Sequence, residues 1–76
     1  MKEVLEYIAK EIVEHPDAVE VTEIQRERSV QLKLRVDPED MGKVIGKGGR
    51  TVRAIRTVLK AAGTRADVNT MVEIVE

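Results

Sequence analysis

The stretch Gly46-Lys47-Gly48-Gly49, which is followed directly by Arg50, is the part of the sequence best suited to binding another molecule. Glycine has no side chain to block close approach and adopts left-handed backbone geometry at little cost, so these glycines predict a tight turn that another molecule can approach closely. A helix that starts beside such a turn offers free N–H groups and the positive end of the helix dipole. A phosphate group fits this chemistry.

Basic residues are concentrated around this turn. Residues 41–66 contain seven bases and no acid, whereas the other fifty residues contain fourteen acids and six bases, so the net charge of −1 conceals a local cationic surface. Lys47 can neutralise charge at the tip of the turn, and Arg50, Arg53 and Arg56 can extend the cationic track along the following helix. The seven bases are Lys43, Lys47, Arg50, Arg53, Arg56, Lys60 and Arg65.

An amphipathic helix is predicted near the start of the chain. Apolar residues recur at the spacing of one helical stripe, and charged residues fill the positions between them. We expect this helix to stop near His15, because Pro16 disfavours helical geometry in the residue before it. Tyr7 lies beside the stripe and is predicted to be a packing residue. The stripe consists of Val4, Leu5, Ile8, Ala9, Ile12 and Val13.

Two strands are predicted after this helix. Residues 29–36 alternate between apolar and polar side chains without interruption, which indicates a half-buried strand. Residues 19–26 also favour a strand, although the alternation slips before Ile24, as a β-bulge would make it do. The short polar link at residues 27–28 suits a tight reversal into a hairpin.

Two helices are predicted on either side of the glycine turn. Asp37 can cap a helix that has Pro38 at its first position, and Gly46 interrupts this helix after about two turns. A third helix follows the turn, and we expect Gly63 to end it as a C-terminal cap. Residues 70–75 then read as a final strand.

The predicted order is helix, strand, strand, helix, helix, strand. This order predicts a single two-layer α+β domain over residues 1–76, with three helices on one face of a three-stranded sheet. The connection through two helices is long enough to make the second and third strands parallel, whereas the first two strands form an antiparallel hairpin. The sheet is therefore expected to be mixed.

Composition excludes several classes of function. Cysteine is absent, which removes disulfides, thiolate zinc sites and thiol catalysis. No stretch approaches the ~20 apolar residues of a membrane span, and the first residues lack the pattern of a secretory signal, so we expect a cytoplasmic protein. His15 is the only histidine and the sequence suggests no nucleophile partner for it. We therefore predict no enzymatic activity, no metal site and no cofactor.

The glycine turn does not match the common nucleotide-binding loops. A P-loop needs Ser or Thr after its lysine, whereas Gly48 follows Lys47 here, and the preceding element is a predicted helix. The dinucleotide fingerprint has a different glycine spacing and requires a larger fold. A helix-to-helix turn without a ligand stays open as the simplest alternative.

Ile45-Gly46-Lys47-Gly48-Gly49, followed by Arg50-Thr51-Val52, resembles the Ile-Gly-x-x-Gly core of KH domains, in which a GXXG loop clamps four backbone nucleotides. The element order resembles the type II KH arrangement common in bacteria. More narrowly, residues 38–46 and 50–57 are similar to the small stand-alone bacterial KH proteins of the KhpA family. The resemblance covers essentially the whole chain.

The resemblance implies that the chain binds single-stranded RNA as an RNA chaperone or post-transcriptional regulator. It places the backbone clamp on Gly46, Lys47, Gly48 and Gly49. It also implies self-association, or pairing with a larger Jag-type KH protein. The other candidate RNA-binding residues are the bases Lys43, Arg50, Arg53 and Arg56 and the apolar groove residues Val44, Ile45 and Val52.

The strongest alternative is a protein-interaction module, in which the same scaffold mainly dimerises or docks on another protein. Salt dependence separates the two functions. Binding to single-stranded RNA weakens with salt by about 0.7 per neutralised phosphate on a log–log plot, whereas an apolar dimer responds little.

Overall fold

The computed structural model describes all of residues 1–76, and its element order confirms the predicted α+β fold. The helices are α1 (Lys2–Ile12), α2 (Met41–Ile45) and α3 (Arg50–Arg65). The strands are β1 (Glu20–Arg26), β2 (Ser29–Arg35) and β3 (Asn69–Val75). Short 3-10 turns lie at Pro16–Ala18, Pro38–Asp40 and Lys47–Gly49.

The three strands form one mixed sheet with β2 at its centre. β1 pairs with β2 in antiparallel fashion, and the two-residue turn at Glu27 and Arg28 confirms the predicted hairpin. β2 and β3 run parallel from the pair Ser29 and Asn69 to the pair Arg35 and Val75, as the long crossover predicted. Both β1 and β3 are therefore edge strands.

The helices cover one face of the sheet. Only that face of the central strand is buried. Val30, Leu32 and Leu34 alternate along β2 on the buried side, with polar residues between them. They pack in one cluster with apolar residues from α1, α2, α3 and β3. The helical and β3 contributions are Leu5, Ala9, Val44, Ile55, Leu59 and Val72. One aliphatic core therefore joins every main element.

The predicted bulge in β1 is wrong. The register between β1 and β2 continues without an extra residue from the pair Glu20 and Arg35 to the pair Arg26 and Ser29. Ile24 breaks the apolar alternation because it lies opposite Gln31, on the face of the sheet that the helices leave uncovered. The slip reflects an apolar residue on the outer face.

α1 ends at Ile12, three residues before the predicted stop at His15. Val13 is already extended, and the N–H groups of Glu14 and His15 donate to the carboxylate of Asp40. A contact from a distant part of the chain therefore ends this helix before Pro16 does.

Gly63 does not end α3, contrary to expectation. The helix continues to Arg65, and the left-handed residue after it is Asp67, with φ of 59°. Gly63 is buried inside the helix, where a Cβ atom would lie 2.7 Å from the carbonyl oxygen of Val68 and 2.8 Å from Cγ2 of Thr70. This glycine lets the chain that leads into β3 pack closely against the helix.

The prediction that Tyr7 packs against the core is also wrong. Its side chain is 69% exposed. Val4, one turn earlier on α1, is exposed as well. None of the helices combines the length and apolar character that a membrane crossing requires.

Candidate nucleic-acid interface

The loop from Gly46 to Gly49 joins α2 to α3 through a single 3-10 turn. Gly46, Gly48 and Gly49 have φ angles of 78°, 66° and 77°, so all three have the positive φ that disfavours other residues. The N–H of Gly49 donates to the carbonyl of Gly46 at 3.1 Å, which closes the turn. Gly48 and Gly49 have the left-handed geometry expected for this loop, whereas Gly46, with ψ of 168°, is extended at positive φ.

The loop exposes backbone groups and the positively charged side chain of Lys47. Lys47 and Gly48 are both exposed, and a Cβ atom on Gly48 would meet nothing within 4 Å. Gly49 is the residue before α3, and no side chain caps the start of that helix. The first turn of α3 therefore has N–H groups without a side-chain partner beside an open loop, an arrangement that favours an anion.

Two cations at the loop, Lys47 and Arg50, are exposed and make no side-chain hydrogen bond or ion pair. Arg53 has a different role, because its Nη2 donates to the carbonyl oxygen of Gly48 at 2.7 Å. The guanidinium thereby braces the loop from the next turn of α3 while keeping its charge. The loop thus has both free positive charge and a fixed shape.

The cationic track continues from the loop to the edge of the sheet. Arg56 lies one turn beyond Arg53, and its Nε and Nη2 each donate to the carbonyl oxygen of Val72 at 3.3 Å. A groove of about 380 Å³ lies at this point, between α3 and β3. Its lining residues are Arg56, Lys60, Thr70, Met71 and Val72. Lys60 lies ten positions after Arg50, so the two residues are about 15 Å apart along the helix axis.

The predicted apolar groove residues differ in accessibility. Val44 is fully buried in the core cluster and Val52 is only 9% exposed, so neither offers much surface to a ligand. Ile45 is 39% exposed and is the predicted apolar residue that offers surface at the loop. Met71, which the sequence did not single out, is 56% exposed at the groove beside β3. The only sequence signal for its exposure is the alternation of β3, which places Met71 and the buried Val72 on opposite faces.

Asp40 positions α2, a role that no pattern in the sequence indicates. Its side chain is only 1% exposed, and its two carboxylate oxygens accept the N–H groups of Glu14 and His15 at 3.1 and 3.0 Å. Burial acts to raise the pKa of Asp40, but these hydrogen bonds, together with attraction to His15 and Lys43, outweigh burial and lower the pKa below its ordinary value. Asp37 caps the preceding turn as predicted, accepting the N–H of Glu39 at 2.8 Å.

Lys43, a predicted RNA-binding base, forms an ion pair with Glu14. The distance from its Nζ to Oε1 of Glu14 is 2.8 Å. This hydrogen bond lowers the pKa of Glu14 and raises the pKa of Lys43, so both remain charged over the neutral range. Lys43 therefore differs from Lys47, whose charge has no internal partner.

One group of side chains has the geometry to approach a metal ion. Ligand atoms of His15, Asp37 and Glu39 lie within 4.8 Å of one another. All three residues already have internal partners: Nε2 of His15 is 3.0 Å from Oε1 of Glu39, and Asp37 caps the adjacent turn. These contacts explain the cluster without an ion.

Comparison with known proteins identifies the family of this chain. The family model described as KhpA/KhpB, KH domain, matches residues 2–74 of the chain. The chain belongs to the KhpA/KhpB family of KH domains. This confirms the resemblance suggested by the sequence around the glycine loop.

Relatives in this family match over nearly their whole length. An RNA-binding protein KhpA of Clostridium acetobutylicum is 55% identical over 99% of this chain and 100% of its own. The RNA-binding protein KhpA of Aquifex aeolicus is 49% identical over 100% of this chain and 96% of its own. The RNA-binding protein KhpA of Halalkalibacterium halodurans is 45% identical over the full length of both chains.

Proposed function

We propose that the chain binds single-stranded RNA and holds the sugar-phosphate backbone in the loop from Gly46 to Gly49. The observation that carries this proposal is the open left-handed loop at the uncapped start of α3, with Lys47 and Arg50 free beside it. Family membership supports the same conclusion, because the relatives are named RNA-binding proteins. The GXXG loop of KH domains is the element that clamps backbone nucleotides.

The proposed path of the RNA runs from the loop along α3 towards β3. Lys47 and Arg50 neutralise phosphates directly, and Arg53 keeps the loop in shape through its bond to Gly48. Arg56 and Ile45 extend the contact surface, while Val44 and Val52 support it from the core. Because the chain has a single aromatic residue, on α1, affinity rests on charge and aliphatic contact more than on stacking.

We also propose that residues 1–76 act as one KH domain without enzymatic activity, as an RNA chaperone or post-transcriptional regulator in the cytoplasm. RNA as the proposed partner supports this location. Binding alone would supply the activity, as the names of the relatives suggest. Neither a cofactor nor a metal has a role in the proposal.

The test is fluorescence anisotropy of a labelled single-stranded RNA titrated with the wild type and with the double variant Lys47→Asp, Gly48→Asp. Asp at both positions repels phosphate and obstructs backbone approach. Both residues are exposed and Gly48 has free space around it, so we expect the variant to stay folded. The positive φ at Gly48 costs Asp about 1 kcal/mol, which thermal melting measures alongside.

A matched control is the double variant Lys2→Asp, Thr22→Asp. It lowers the net charge by the same three units, two from the lysine and one from the second position, at exposed sites away from the loop. We expect the control to bind nearly as the wild type does and the loop variant to lose binding. Equal binding by the folded loop variant and the wild type would contradict the clamp.

A second candidate function is protein association, either with a second copy or with a larger Jag-type KH protein. Exposed apolar side chains on two helices favour it, namely Val4 and Tyr7 on α1 and Val58 on α3. Sedimentation at low and high salt tests self-association. An apolar dimer should persist as salt rises, whereas RNA binding should weaken steeply.

A further inference from the structure

The positive charge of Lys43 is paired with a carboxylate, unlike that of any other base in the acid-free segment 41–66. Arg53 and Arg56 donate to uncharged carbonyl groups and keep their net charge. Lys47 and Arg50 have no side-chain partner. Glu14, which lies outside this segment, therefore cancels the only positive charge of the segment that precedes the loop.

Lys43 lies close to the loop that is proposed to hold the RNA backbone. It lies on α2, three residues before Gly46, or about 4.5 Å along the helix axis. Its side chain is exposed, and a lysine stem can turn its ammonium group towards a phosphate without moving the backbone. The ion pair with Glu14 turns it towards the end of α1 instead.

The backbone that carries the Glu14 side chain is held in place, although the side chain itself is 69% exposed. The backbone N–H of Glu14 donates to the buried Asp40, which directly precedes α2. Glu14 and Lys43 are thus brought together by a buried contact, as well as by their own attraction. A phosphate that approaches Lys43 has to compete with a carboxylate whose backbone the fold holds beside α2.

We propose that Glu14 withholds Lys43 from the RNA backbone and thereby weakens the affinity of the loop for single-stranded RNA. This inference rests on the proposed function, since it concerns the same loop. It assigns Glu14 as a positioning residue that acts through Lys43. It also changes the expectation for Lys43, which contributes to RNA binding only when Glu14 is neutral or absent.

The test is the salt dependence of RNA affinity for the wild type, Glu14→Gln, Lys43→Met and the Glu14→Gln, Lys43→Met double variant. Glu14→Gln should tighten binding about two- to fivefold, the range set by one exposed ion pair. It should also steepen the log–log salt slope by up to about 0.7, because one more phosphate is neutralised. Lys43→Met alone should change affinity less than twofold, and when combined with Glu14→Gln it should abolish the gain.

Glu11→Gln is the matched control, because Glu11 is another exposed acid near the end of α1 and has no ion pair. It changes the net charge by the same single unit, from −1 to 0. The inference is overturned when Glu14→Gln leaves affinity unchanged or weakens it, when Glu11→Gln gives the same gain, or when the gain survives Lys43→Met.

The loop variant Lys47→Asp, Gly48→Asp reports separately on the proposed function in the same assay. Undiminished binding by that variant overturns the clamp. Loss of binding by the loop variant, together with an unchanged affinity for Glu14→Gln, overturns only the role of Glu14.

Discussion

Replacing Gly46 and Gly42 by alanine, one at a time, should change stability in opposite directions although the two residues are four positions apart. Gly46 has φ of 78° and ψ of 168°, a region that only glycine occupies readily. A Cβ atom there would overlap Oγ1 of Thr51 and lie 2.7 Å from its backbone nitrogen. Gly42 lies in α2, and a Cβ atom on it would meet nothing within 4 Å.

The magnitudes follow from these two environments. Alanine at Gly46 costs about 1–3 kcal/mol for the backbone conformation and about 1–3 kcal/mol for the overlap. Alanine at Gly42 should stabilise the protein by about 0.4–1 kcal/mol, because it restricts the unfolded chain without strain in the helix. For a domain of this size, 1 kcal/mol moves the Tm by about 4–8 °C. The Tm should therefore fall by at least about 8 °C for Gly46→Ala and rise by about 2–8 °C for Gly42→Ala.

Thermal unfolding followed by circular dichroism at one protein concentration measures both shifts, and urea unfolding checks that the transition stays cooperative. RNA anisotropy adds a second readout, since Gly46→Ala should weaken binding even at temperatures where it is folded. Shifts of the same sign in the two variants, or a Tm within about 1 °C of the wild type for Gly46→Ala, would refute the reasoning about the loop.

Three further predictions concern residues outside the loop. Gly63→Ala should lower the free energy of unfolding by about 1–3 kcal/mol in urea despite its helical position, because its Cβ would lie 2.7 Å from the Val68 carbonyl oxygen. Asp67→Gly should raise that free energy by about 0.5 kcal/mol, since Asp67 has φ of 59° and glycine adopts this conformation without strain. Asp40→Asn should lower the urea midpoint at pH 7 and make that midpoint fall less steeply below about pH 4. The pKa of Asp40 is lower in the folded protein than in the unfolded chain, so its carboxylate stabilises the fold above the unfolded pKa. This stabilisation is lost as the pH falls through the folded pKa. A variant whose acid sensitivity equals that of the wild type would contradict the role given to Asp40.

The elements that depend on local signals were predictable from the sequence. The alternation of Val30, Leu32 and Leu34 defined β2, and the glycines after Ile45 defined the loop, because strand phase and positive φ are properties of a few adjacent residues. The order of elements then restricted the topology, since a long connection between strands favours a parallel pair.

The errors concern residues whose conformation depends on distant parts of the chain. Sequence patterns misplace the end of α1 because Asp40 binds N–H groups 25 and 26 residues earlier. Gly63 resembles a helix cap in the sequence, because no local pattern shows that β3 packs against it. Apolar spacing alone misplaces Tyr7 and Ile24, since it does not reveal which face of an element the rest of the fold leaves open.

The same distinction applies to the charges at the proposed RNA site. The sequence shows seven bases without an acid between residues 41 and 66, but it cannot show which of them have partners. The fold assigns Arg53 and Arg56 to carbonyl groups and Lys43 to Glu14. It leaves four bases free, namely Lys47, Arg50, Lys60 and Arg65. Since a phosphate gains most from a cation that has no competing anion, the distribution of partners, more than the number of bases, should determine how many phosphates the loop neutralises. The salt slope is therefore a more informative measurement for this domain than the affinity at a single salt concentration.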